Sequence, residues 1–146
     1  MKQHALTLVA EIHANRMESL RSTITQHHDS IQQRLRLLGT IHYCRWVIID
    51  ATILDNEKLA PQLAFESNFD GDVDLHMQDL ILHLGSHLED IYSHCIGFTS
   101  DNKLAFLQSI RIKEMAFYQG SPGRSVDIIA KEKALRYRLH ELVNTT

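Results

Sequence analysis

The sequence predicts a single α+β domain: an antiparallel sheet in the order βαββαβ, helices on one face, a small insertion and a C-terminal helix. Three observations carry that expectation. Residues 5–12 and 63–69 alternate apolar and other side chains with the period of a strand. Residues 17–38 and 73–91 repeat apolar residues at helical spacing. Between the second and third strands lies only the short polar run 51–61, too short for a crossover helix, so those strands should pair as an antiparallel hairpin.

Taken in order, Leu6, Leu8, Ala10 and Ile12 mark one face of the first strand. Asn15 with Glu18 makes a variant capping box for a helix whose stripe is Met17, Leu20, Ile24, Ile31, Leu35 and Leu38. His27 falls on that stripe and reads as a packed, locally satisfied histidine. Gly39 ends the helix. Residues 40–50, rich in β-branched and aromatic side chains, form a second strand expected to be central. On it His42, Cys44, Trp46 and Ile48 share one face, and Tyr43, Arg45, Val47 and Ile49 the other.

Residues 63–69 form the third strand, Gly71 supplies a turn, and Asp70 or Asp72 caps the next helix. That helix buries Val73, Met77, Leu80, Ile81, Leu84, Leu88 and Ile91, and Gly85 within it suggests close packing. A short strand at 94–98, a short helix capped by Ser100 or Asp101 and reaching about Ile110, a last strand at 114–119, a turn at Ser121 and a helix over 125–143 complete the chain. The βαββαβ order is that of a ferredoxin-like fold.

Composition narrows the function classes. The chain has 146 residues, enough for one domain covering 1–146, and its 44% hydrophobic and 23% charged residues argue against disorder. No apolar run exceeds the four residues of Trp46 to Ile49, too short to span a bilayer, and the N-terminal stretch lacks a secretory pattern. Cys44 and Cys95 lack metal or redox spacing, which suits a reducing cytoplasm. A net charge of −3 with scattered basic residues argues against a nucleic-acid partner. Lys131, Lys133, Arg136 and Arg138 read as the exposed side of the last helix.

Three constellations carry candidate chemistry. The first is His42, Arg45, Glu66, Asn68 and Asp70 on two pairing strands: arginine offers a fork of donors suited to a carboxylate, and histidine can move a proton near neutral pH. It suits a small anionic or aromatic organic ligand. The alternative is structural, with Arg45 paired to Glu66 or Asp70 and His42 in the core. The second is His76, His83 and His87, a helical stripe of candidate metal ligands bordering the apolar face. Its alternative is a histidine-rich solvated flank, since no HExxH glutamate is present. The third is Tyr118 with Arg124, an anion-binding candidate at a strand end and a helix start, or a packed ring and a solvated cation.

The runs IHYCRWVI at 41–48, LAFESNFDGDVD at 63–74 and FYQGSPGRSV at 117–126 resemble a poorly characterised bacterial family of small α+β proteins related to the dimeric α+β-barrel folds. In that family the first motif reads histidine, aromatic, alanine, arginine, where this chain has Cys44. The third carries a second aromatic before the proline, where this chain has Ser121. Its members occur alone or joined to haem peroxidase or catalase-like chains. The resemblance therefore implies a ferredoxin-like domain and leaves two further readings open, a haem-linked oxidoreductase and a partner module for a separate peroxidase. In the haem reading Asp70 is the distal acid, Arg45 its partner, and His94 or His140 the iron ligand. Self-association as a homodimer is expected, because such sheets leave a face or an edge open.

Overall fold

A computed structural model describes residues 3–112. Within them the chain is α+β. Strand β1 (Gln3–Glu11) leads through a 3₁₀ turn at Ala14–Arg16 into helix α1 (Met17–Leu38), followed by β2 (Ile41–Ile49), β3 (Thr52–Leu54), β4 (Glu57–Leu59) and β5 (Gln62–Asp70). Then come α2 (Val73–Tyr92), α3 (Lys103–Ser109) and the short β6 (Arg111–Ile112). Four strands form one antiparallel sheet in the order β2-β5-β1-β6, and β3 and β4 pair as a separate hairpin.

The core lies between one sheet face and the helices. Leu6, Leu8, Ala10 and Ile12 of β1 and Leu63, Phe65 and Phe69 of β5 are buried with Met77, Leu80, Leu84, Leu88 and Ile91 of α2. Alternation decides this, since the apolar set of each strand projects to one side and meets the apolar stripe of α2. Trp46 packs on Phe65 and donates from Nε1 to the Tyr92 hydroxyl at 3.2 Å, which satisfies both polar tips inside the core. A smaller cluster, Ile49 and Ala64 with Val9 and Val47, occupies the opposite face.

Several expectations are corrected. Among the described residues β2 is an edge strand, not a central one. Its two apolar faces pack against separate clusters, so burial of both faces says nothing about which strands pair with it. The 51–61 connector folds into the β3–β4 hairpin, turned by Asp55 and Asn56 at positive φ, as Asp and Asn tolerate. Helix α1 begins after a 3₁₀ turn without a side-chain cap, so Asn15 does not cap it; Gly39 does end it, in the left-handed region.

Asp72, not Asp70, caps α2 by accepting from the Leu75 amide, and Asn102 rather than Ser100 or Asp101 caps α3. A Cβ at Gly85 would meet nothing within 4 Å, so no close approach explains that glycine. The strand expected at 94–98 reduces to a single bridge between Ile12 and Cys95. The last strand at 114–119, the Ser121 turn and the C-terminal helix lie outside the described residues.

Candidate functional site

The first constellation sits on the β2–β5 ladder. Glu66, Asn68 and Asp70 project from one face of β5, opposite the face that buries Phe65, Ser67 and Phe69. Arg45 lies across from Glu66, and its Nη2 donates to Glu66 Oε2 at 2.8 Å. The two side chains are only about a fifth exposed, at 21% and 23%, so the pair is partly desolvated. The guanidinium also lies 5.4 Å from the centre of the Tyr43 ring. Burial raises the Tyr43 phenol above its ordinary value, and Arg45 opposes the rise.

A bulge brings in His42. Ile41 pairs with Phe69 and Tyr43 with Asn68, so two residues of β2 span one step of β5 and His42 is left out of the alternation. Its Nε2 comes within 2.9 Å of Asp70 Oδ1. Asp70 is available because Asp72 does the capping. The structure therefore brings His42 to Asp70 and Arg45 to Glu66, with Asn68 between the two acceptors on β5. Tyr118 and Arg124 lie outside the described residues.

No protein-family model, curated protein or solved structure matches this chain. Its site is therefore read from its own geometry.

Two clefts adjoin the pairs, along the seam between α1 and β2. One, of about 200 Å³, is lined by Ile24, His28, Ile31, Gln32, Leu35, Cys44, Arg45 and Trp46. The other, of about 280 Å³, is lined by Gln32, Leu35, Arg36, Ile41, His42, Tyr43 and Cys44. They share Gln32, Leu35 and Cys44, and so form successive parts of one groove. Among the described residues its polar lining is arginine, histidine and glutamine, without a carboxylate. Arg45 Nε is buried and has no hydrogen-bond partner, a costly state for a cationic donor. Burial pushes the Cys44 thiol up to about 12, so at neutral pH it lines the groove as a thiol and is no nucleophile.

The α1 wall was missed in the sequence, although its signal was present. His28, Gln32 and Arg36 recur every fourth residue beside the apolar positions Ile24, Ile31 and Leu35, which makes a polar row along one edge of the buried stripe.

The histidine stripe of α2 does not converge. His76 is 3% exposed, stacked on Phe69 with ring centres 3.8 Å apart and bonded to Ser67 Oγ at 2.9 Å. Burial lowers its pKa to about 4, against a smaller opposing effect of Asp79, so it stays neutral. His87, also buried, faces His27 and Ser30 of α1. His76 and His87 thus do not border solvent as the stripe suggested. Their separation along the helix, roughly 16 Å at 1.5 Å per residue, forbids a shared ion. Among the described residues no group of three potential ligands could hold a metal.

The haem reading fits poorly as well. Both ring nitrogens of His94 are engaged, Nε2 with Ser19 Oγ and Nδ1 with the carbonyls of Asp90 and Ile91, and Asp70 holds His42. His140 lies outside the described residues. No described helix is long and apolar enough to cross a membrane.

Proposed function

We propose that this chain binds a small anionic organic ligand on the outer face of the β2–β5 ladder, anchored by Arg45, with His42 and Asp70 beside it. One observation carries the reading: Arg45 spends Nη2 on Glu66 yet leaves a buried Nε without a partner, on the sheet face that also carries His42 and Asp70. A ligand carboxylate would satisfy the remaining donors of the fork, and Tyr43, beside the guanidinium, gives an aromatic portion a ring to pack on.

The domain is read as ferredoxin-like. The order β2-β5-β1-β6 supports that reading when the β3–β4 hairpin and the inserted helix α3 are set aside. Kinship with the small bacterial α+β family belongs to the same proposal, supported by the runs at 41–48 and 63–74. Self-association would use the outer edge of β2, which pairs only with β5 among the described residues.

Thermal-shift measurements with benzoate, acetate and inorganic phosphate test the binding, comparing the natural chain with Arg45→Lys. Lysine can keep the ion pair with Glu66 but loses the planar fork. A ligand-induced shift in the natural chain that disappears in Arg45→Lys is expected. An equal shift in both proteins, or none with any anion, would remove the proposal.

A further inference from the structure

Helices α1 and α2 meet through an unbroken chain of polar atoms that the groove does not use. Ser30 Oγ lies 3.0 Å from His87 Nε2, His87 Nδ1 lies 2.6 Å from His27 Nδ1, and His27 Nε2 lies 3.1 Å from Asp90 Oδ2. The imidazoles meet edge to face, with ring centres 4.7 Å apart.

Chemistry fixes the direction of this chain. A carboxylate only accepts, so His27 donates from Nε2 and, as a neutral ring, leaves Nδ1 bare. The short contact then needs His87 to donate from Nδ1, which leaves its Nε2 to accept from the Ser30 hydroxyl. Two neutral rings thus satisfy every position. One added proton can be absorbed at His87 Nε2, because the serine hydroxyl can turn and accept. A further proton has only His27 Nδ1 to occupy, where N–H would face N–H across 2.6 Å.

The order of groups also resembles a nucleophile relay, but Ser30 lines neither part of the groove. The contact instead joins two helices. Its charged surroundings are Arg34 of α1, which also donates to the His83 carbonyl of α2, and Asp90 of α2. Desolvation, then the neighbouring His27 and Arg34, lower the pKa of His87, and Asp90 opposes them.

We propose that His27 and His87 form a proton-operated lock between α1 and α2, closed while the pair has room for its protons and opened when both rings become cationic. Its sign follows from the lowered His87 pKa: the lock is intact above the ordinary histidine range and weakens as pH falls below it. The helix that would be released carries His28, Gln32 and Arg36, so opening would widen the groove between α1 and β2.

The test reads α1 directly, by amide hydrogen exchange of the full chain from about pH 7.5 to about pH 5, corrected for intrinsic rates, with β5 as internal reference. In the natural chain, protection of α1 should fall relative to β5 by about tenfold or more, the equivalent of one pKa unit. In His87→Gln, whose amide offers a donor and an acceptor but does not titrate, the ratio should hold. Equal falls in both proteins, or no fall in the natural chain, would overturn the lock. If His87→Gln does not fold, His27→Gln carries the same expectation. Histidine NMR titration of the natural chain decides independently: His87 should take up its proton below the ordinary histidine range, and an ordinary titration of His87 would overturn the proposal.

Discussion

Acid should unfold this protein partly through one buried residue, His76. Its ring is neutral in the fold, stacked on Phe69 and bonded to Ser67, with a pKa of about 4. In the unfolded chain a histidine takes up its proton near pH ~6.5. The folded pKa is lowered, so the stabilisation is complete above the unfolded value and is lost as pH falls toward the folded one. With these two values the linkage relation gives a loss of about 2 kcal/mol by pH ~5 and a limit of about 3 kcal/mol below pH ~4. Urea unfolding at about pH 8 and about pH 5 reads the loss as a drop in midpoint of about 1 M.

The double variant Ser67→Ala with His76→Phe keeps a ring against Phe69 and leaves no orphaned hydroxyl, so its pH-dependent loss should shrink by about 2 kcal/mol. If the natural chain and the double variant lose the same stability over this interval, burial of His76 does not set the acid response. A His76 ring signal titrating near pH ~6.5 in the folded protein would refute the reasoning directly.

Three further outcomes follow from the backbone and caps. Gly85→Ala should stabilise the protein by about 1 kcal/mol in thermal or urea unfolding, because α2 gains helix propensity where the new methyl meets nothing. Gly39→Ala should destabilise it by about 1–2 kcal/mol, wholly through its φ of +66°, since a Cβ there also meets nothing. Asp72→Ala should cost about 1 kcal/mol by removing the acceptor of the Leu75 amide, and Asp72→Asn should recover most of it.

The fold was legible where one period ruled a segment. The alternation of Leu6 to Ile12 and of Leu63 to Phe69 has a single solution, and so does the stripe from Met77 to Ile91. It was obscure where pairing mattered. Trp46 and Ile48 pack on the main core while Val47 and Ile49 join the smaller cluster, so β2 looks central by its side chains and, among the described residues, is an edge by its hydrogen bonds. Helical spacing likewise put His76, His83 and His87 on one stripe but could not say that Phe69 and Ser67 would meet the first and His27 the last. His27 was rightly read as packed, yet its partners are on α2, not in its own helix. The pairing of Arg45 with Glu66 was within reach of the sequence, as one of two open alternatives. The approach of His42 to Asp70 depends on a bulge that strict alternation cannot express.

That bulge bears on what His42 is for. Ile41 packs with the core and Tyr43 projects to the other side, an arrangement strict alternation denies to residues two apart. A chain lacking His42 would put Ile41 next to Tyr43, opposite Phe69 and Asn68 in an unbroken ladder, with the same core. The extra residue contributes nothing that a shorter strand could not supply to packing. Its effect is to hold an imidazole within 2.9 Å of the Asp70 carboxylate, a contact that the regular alternation of β2 would not make.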